Sequence, residues 1–159
     1  MGAFRVVANA NEQAIRDRSR GKHPIVCPIA IKLGEIWFPH ECWDDFALVI
    51  LDWWIQRVVG LCRGDTTSAK LDFMDGPFEI DVQLAGESSL EIRCLERKAS
   101  GSTVRATGSC SLAEFESEIV TAARNVLAGV QKAGMWNEAC TKLQAFLDQA
   151  FPLQTQVSS

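Results

Sequence analysis

The sequence lacks the motifs by which many enzymes are recognised. It contains no GxSxG, P-loop or GxGxxG sequence, the signatures of a hydrolase elbow, a phosphate-binding loop and a dinucleotide site. Only two of its 159 residues are histidines, so histidine-based acid–base catalysis has few candidates. The segment His40-Glu41-Cys42 contains residue types that bind metals, but it lacks the HExxH spacing that puts two histidines on one helical face. We therefore expect no enzyme activity, no metal site and no cofactor.

The sequence also lacks paired cysteines and a recognisable secretory signal. Its six cysteines form no CxxC motif, and its first twenty residues contain no long apolar segment. Cysteines stay reduced in the cytoplasm, where free thiols are commonly small core residues. We therefore expect a cytoplasmic protein in which the cysteines are free and most of them are buried.

Length and composition are those of one globular domain. Hydrophobic residues make up 47% of the chain and charged residues 23%, which is ordinary for a folded protein. A chain of 159 residues is long enough to bury a core. We expect a single domain over residues 1–151 and a flexible tail over residues 152–159.

The most apolar stretch is WDDFALVILDWWIQRVVGLC, which begins at Trp43. Asp52 and Arg57 interrupt it, and a charged group at the centre of a bilayer is costly, so a membrane span is disfavoured. The rest of the stretch is largely apolar, so a helix formed by it would be apolar on most of its sides. This predicts a central helix of a soluble core. This helix is expected from Asp44 to about Cys62, with Asp44 as its N-cap and Asp45 in its first turn.

Two adjacent tryptophans, Trp53 and Trp54, lie within the predicted central helix. Neighbouring residues point to different sides of a helix, so at most one of these rings could line a pocket. Packing in the core is the favoured interpretation. We expect the ring of Trp53 to be buried.

After this helix, the sequence predicts an antiparallel meander. The segments AKLDFM, FEIDVQL, LEIRCLERK and TVRATGSC alternate apolar and polar residues and are separated by turn sequences. One face is expected to carry apolar side chains, Val104 among them, and the other to face solvent. Earlier strands are predicted in FRVV and in IVCPIAIKLGEIWF.

At Ser111 the apolar period changes to that of a helix. The sequence SLAE, with Ser111 and Glu114, is a capping box, and Gly134 is expected to end the helix. A last helix is expected from about Met135 to Phe151. The predicted fold is α+β, a four- or five-stranded antiparallel β-meander sheet packed on one face by the central apolar helix and two C-terminal helices.

Negative charge is concentrated in one part of the chain. Residues 35–91 contain twelve acidic and three basic residues, whereas the whole chain has a net charge of −4. Nucleic-acid binding is therefore disfavoured, because phosphates need basic residues. The solvent-facing side of the sheet is expected to dock a basic protein or, alternatively, only to be solvated. The expected partner-binding acids are Asp72, Asp75, Glu79 and Asp81, and the expected apolar anchors are Trp37, Trp43 and Met74.

The segment FPHECWDDFALVILDWWIQRVVGL followed by LDFMDGPFEIDV resembles a pattern in small bacterial proteins, several of which are similar to immunity proteins of toxin–immunity systems. The resemblance covers roughly residues 35–98. It implies a cytoplasmic, single-domain, non-enzymatic inhibitor that blocks a cognate toxin. Nuclease toxins are commonly basic, so an acidic sheet face is compatible with such a partner.

Two other classes of function stay open at this point. Small acidic α+β proteins also serve as secretion chaperones, which bind extended segments of effector proteins and usually dimerise. A small-molecule-binding or enzymatic domain would instead use a pocket between the sheet and the helices. Monomer and homodimer are both compatible with the sequence, and no membrane partner is expected.

Overall fold

The computed structural model describes residues 3–153, and its helices and antiparallel strands confirm the expected α+β class. In chain order the elements are β1 (Phe4–Ala8), α1 (Glu12–Ser19), β2 (Cys27–Leu33), β3 (Ile36–Phe38), β4 (Asp44–Asp45), α2 (Ala47–Cys62), β5 (Ser68–Asp72), β6 (Phe78–Leu84), β7 (Ser89–Lys98), β8 (Gly101–Ser111), α3 (Leu112–Lys132) and α4 (Glu138–Ala150). The predicted tail lies outside the described residues from residue 154 onward.

The predicted meander forms a four-stranded antiparallel sheet in the order β5-β6-β7-β8. Leu71, Ile80, Ile92 and Cys94 alternate with polar residues and are buried in the core. This alternation gives the sheet an apolar inner face and a polar outer face. The sequence pattern therefore predicted the direction of most of its side chains.

The outward direction of Val104 contradicts the sequence prediction. The register shifts between Cys94 and Leu95, so that Cys94 pairs with Ala106 while Leu95 pairs with Val104. Arg105 is then the extra residue of a β-bulge. On the far side of this bulge, the residues of β8 point to the face opposite to the one that strict alternation predicts. Val104 consequently lies on the outer face, where its side chain is 46% exposed.

A second antiparallel sheet is formed by the N-terminal part of the chain. β2 is its central strand, pairing with β1 along one side and with both β3 and β4 along the other. Residues of β2 are buried on both faces, except for the partly buried Lys32. The sequence analysis predicted strands here but not this separate four-stranded sheet, because β3 and β4 are too short to show a clear alternation.

The central helix α2 begins at Ala47 rather than at Asp44. Asp44 and Asp45 instead form β4, which pairs with Pro28 and Cys27 of β2. The predicted N-cap role of Asp44 is therefore wrong, and Phe46 occupies the N-cap position without a side-chain hydrogen bond. Pairing with a strand distant in sequence overrides the local preference of aspartate for a helix start.

Of the two adjacent tryptophans of α2, Trp54 faces the core and Trp53 does not. Trp54 is fully buried, its ring packs edge-on against Phe73, and its Nε1 donates a hydrogen bond to the carbonyl oxygen of Asp72 at 2.9 Å. Trp53 is 41% exposed, so the prediction that its ring is buried is wrong. Core packing thus holds for one of the two tryptophans.

The two C-terminal helices complete the core. Ser111 caps α3 by accepting a hydrogen bond from the backbone nitrogen of Glu114 at 3.0 Å, as predicted. α3 packs against α2 and β1, and its Gly129 lies so close to the carbonyl of Ala10 that a larger residue would collide. α4 begins at Glu138, three residues later than expected.

All six cysteines lie within the described residues and are free, which confirms the expectation of unpaired thiols. Cys27, Cys94, Cys110 and Cys140 are buried, whereas two are exposed. Of the helices formed by residues 3–153, none combines the length and the apolar character that crossing a bilayer requires.

Candidate functional site

The predicted partner-binding residues lie in three places. Asp72, Glu79 and Asp81 belong to strands of the meander and face outward. Met74 and Asp75 lie in the turn between β5 and β6, and Trp43 lies just before β4. Trp37 is on β3 of the other sheet.

Glu79 is the least accessible of the predicted acids, with only 6% of its surface exposed. Its carboxylate oxygens lie 3.8 Å from Nζ of Lys70 and 3.7 Å from a guanidinium nitrogen of Arg97. The same Arg97 nitrogen is 3.5 Å from Asp72. These carboxylates are therefore partly neutralised by neighbours within the chain, which weakens their attraction for an external cation.

The rest of the outer face is also nearly balanced in charge. Asp81 pairs in register with Lys70 on one side and with Arg93 on the other. Arg93 and Arg97 follow the acidic part of the sequence, which ended at Glu91. Strand pairing brings these later basic residues beside the earlier acids, so the concentration of negative charge in the sequence does not become an acidic sheet face.

Two segments distant in sequence meet in what we call the Asp45 corner, comprising residues 40–45 and 74–77. Asp45 is buried, and its carboxylate accepts hydrogen bonds from Nε1 of Trp43 at 3.1 Å and from the backbone nitrogen of Asp75 at 3.2 Å. It also accepts a bond from the backbone nitrogen of Phe46 at 2.7 Å. One carboxylate thereby joins the end of the loop before β4 to the β5–β6 turn.

Aromatic packing also holds the Asp45 corner against the core. The ring of Trp43 lies 5.3 Å from that of Phe78 in an edge-on arrangement, and 5.0 Å from the ring of His40. Gly76 adopts a φ of +74°, and a Cβ atom there would lie 2.8 Å from the ring of Phe78. Glycine thus allows the turn to close over this aromatic cluster.

The surface of the Asp45 corner combines apolar and acidic groups. Met74 is 50% exposed, and Trp43, in the other segment of the corner, is partly exposed. Glu41 and Asp75 are exposed, and no basic side chain within residues 3–153 lies within ion-pair distance of either carboxylate. Asp44 is paired with Arg18 at 3.5 Å. The corner therefore has two carboxylates available to a partner.

Trp37 lies apart from this arrangement. It is on the face of its sheet opposite to the buried Phe38, and Nζ of Lys32 lies 5.4 Å from the centre of its ring. This cation–π contact covers part of the ring with a positive charge. The structure thus unites Trp43, Met74 and Asp75 and leaves Trp37 on another surface.

Sequence reasoning missed two residues that matter here. Asp45 looked like a first-turn residue of a helix, and only its contact with Asp75 shows that it joins two segments. His40 was considered only as a metal ligand, whereas its ring packs on Trp43. Within the described part of the chain, no group of three or more potential metal-binding side chains is close enough to hold an ion.

Comparison of this chain with models of protein families, with curated protein sequences and with solved structures finds no significant match. The function therefore has to be argued from the geometry of its surfaces.

Surface grooves provide a second type of candidate site. One groove of about 580 Å³ runs between β1 and the start of α3, where Glu118 accepts a hydrogen bond from the backbone nitrogen of Val6. Another, of about 490 Å³, lies between α3 and the residues after α4. Neither groove contains a residue of the Asp45 corner.

Proposed function

We propose that this chain is a protein-binding inhibitor that docks a basic partner through the Asp45 corner. The observation that supports this most is that the buried Asp45 joins the loop carrying Glu41 and the partly exposed Trp43 to the turn carrying the exposed Met74 and Asp75. Apolar anchors with a charged rim are typical of protein interfaces. The buried Asp45 holds this surface in one arrangement before a partner arrives, which reduces the entropy lost on binding.

The two kinds of group have separate roles in this proposal. Met74 and Trp43 would lose apolar surface to the partner and so slow its dissociation. Glu41 and Asp75 would attract its basic residues and so speed association, an effect that salt weakens. The charge-balanced outer face of the meander would contribute less, because its carboxylates already have basic neighbours.

We further propose that the partner is a cognate bacterial toxin and that the protein acts as its immunity protein in the cytoplasm. The resemblance to immunity proteins rests on two stretches of sequence, FPHECWDDFALVILDWWIQRVVGL and LDFMDGPFEIDV. The first stretch supplies residues 40–45 and the second supplies residues 74–77. Both halves of the corner thus come from the segments that carry the resemblance.

Binding to the product of the adjacent reading frame tests this proposal. The charge variant is Glu41→Gln with Asp75→Asn, and its matched control is Asp65→Asn with Glu87→Gln, which removes two exposed acids elsewhere. Association rates are measured at two salt concentrations, after circular dichroism has shown that both variants fold. We expect slower association and a weaker salt dependence for the corner variant, and no change for the control.

Met74→Ser tests the apolar anchor in the same assay, with Val104→Ser as a control on the outer face. We expect faster dissociation only for Met74→Ser, by about tenfold, if Met74 is a central contact. A partner that binds all these variants equally, or an adjacent product that does not bind at all, would contradict the proposed docking surface. Protection of cells from that product by this chain separates inhibition from simple binding.

A further inference from the structure

A hydrogen bond between His23 and Asn137 joins two loops that do not belong to the Asp45 corner. His23 lies between α1 and β2, and its Nδ1 is 3.0 Å from Nδ2 of Asn137. Asn137 is the N-cap of α4, and its Oδ1 accepts a hydrogen bond from the backbone nitrogen of Cys140 at 3.0 Å. One asparagine side chain therefore serves both the helix start and the contact with histidine.

The cap determines which group donates in the contact with histidine. Because Oδ1 of Asn137 faces the backbone nitrogen of Cys140, the amide nitrogen of the side chain must face His23. An amide nitrogen can only donate, so Nδ1 of His23 must accept. Only the neutral imidazole with its proton on Nε2 can do this.

We infer that this pair is an acid-sensitive latch between the α1–β2 loop and the start of α4. Once the imidazole is protonated, both of its nitrogens carry hydrogens, and Nδ1 confronts another donor. The contact then opens, or the amide of Asn137 turns over to present its oxygen to His23. A turned amide places its nitrogen against the backbone nitrogen of Cys140, so the cap of α4 is lost.

The charged side chains on the elements that meet here do not replace this bond. Arg16 donates from Nε to the carbonyl of Ala133 at 3.3 Å, which holds α1 to the end of α3 at any pH at which proteins fold. Glu138 lies next to Asn137, but its carboxylate is paired with Lys142 at 3.4 Å. On α1, the carboxylate of Asp17 accepts a hydrogen bond from Gln13 and that of Glu12 is paired with Arg16.

Amide hydrogen exchange at Cys140 tests the latch directly, because that amide is the one capped by Asn137. Exchange is expressed relative to the intrinsic rate at each pH, between pH 8 and pH 5.5, the range in which imidazoles gain a proton. We expect the protection of the Cys140 amide to fall about fivefold on acidification, corresponding to the loss of a helix cap. Amides in the middle of α3 should show no such fall.

Three variants separate the latch from a general effect of acid. In His23→Gln the side chain does not titrate, so protection of Cys140 should be independent of pH. Asn137→Asp has two acceptor oxygens, one for the cap and one for the protonated imidazole, so acid should raise protection instead of lowering it. Glu138→Gln tests the neighbouring carboxylate and should behave as the unmodified protein does.

The outcomes decide the inference without reference to any binding partner. An acid-induced fall that persists in His23→Gln would show that another group titrates, and it would overturn the latch. A fall of the same sign in Asn137→Asp would do the same, because it contradicts the donor and acceptor roles assigned here. Constant protection in the unmodified protein would show that His23 does not control the cap.

Discussion

Replacing Asp45 with asparagine is the sharpest test of how the corner is held. The substitution keeps the size of the side chain but leaves one acceptor oxygen where the carboxylate has two. One oxygen of Asp45 accepts from the indole of Trp43 and from the backbone of Asp75, and the other accepts from the backbone of Phe46. Whichever way the asparagine amide is turned, at least one of these partly buried donors faces another donor.

The expected cost follows from these contacts. A hydrogen bond to a charged acceptor contributes roughly 1.5–3 kcal/mol, and leaving a buried donor unsatisfied costs about 1–3 kcal/mol. Removing the buried charge returns part of its desolvation penalty. We therefore expect Asp45→Asn to lower the free energy of unfolding by about 1–3 kcal/mol.

Asp44→Asn is a matched control, because it makes the same chemical change one residue earlier. Asp44 is 43% exposed, and its only described ion pair, with Arg18, spans 3.5 Å. An exposed pair of this kind contributes about 0–1 kcal/mol. Urea denaturation followed by circular dichroism should show a clearly lower midpoint for Asp45→Asn, and equal midpoints for the two variants would refute this account of the corner.

Three further predictions concern the core, a glycine and the thiols. Trp54→Ala should lower the free energy of unfolding by about 3–5 kcal/mol, whereas Trp53→Ala should lower it by much less, as thermal melts of both would show. Gly129→Ala should destabilise the fold, because the new Cβ would collide with the carbonyl of Ala10. Ala128→Gly, on the exposed side of α3, should lower the free energy of unfolding by about 1 kcal/mol. Chemical denaturation would compare the stabilities of the two variants. Partial desolvation of the Cys62 thiol, although the residue as a whole is exposed, and its hydrogen bond to Glu116 raise its pKa to about 12, so at pH 8 little of it is thiolate. A thiol reagent should therefore label Cys42 quickly and Cys62 slowly in the native protein, and Glu116→Gln should speed the labelling of Cys62.

The sequence predicted those features that depend on local periodicity. Alternation along β6 and β7 and the cap at Ser111 are properties of short segments, and the structure has them where they were expected. Asp44 and Asp45 were misplaced because their partners, Pro28 and Cys27, lie far away in sequence. A helix start and a short strand look alike until the paired strand is known.

The candidate site was only partly predictable for the same reason. Met74, Asp75 and Trp43 were selected from the sequence by type, but their proximity depends on the buried Asp45. The sequence did not show that Arg93 and Arg97, which come from a different strand, lie beside the acids of the outer face. Charge patterns along a chain describe a sheet surface only after the strands have been paired.

The residues in and beneath the Asp45 corner have separate structural roles, and this has a consequence for the docking surface proposed above. Asp45, Phe78 and Gly76 hold the two segments together, whereas Glu41 and Met74 are exposed. Substitutions at such exposed positions usually alter stability by less than about 0.5 kcal/mol. The exposed positions of the corner can therefore be substituted while the frame beneath them stays the same, which gives the proposed docking surface room to change its chemistry.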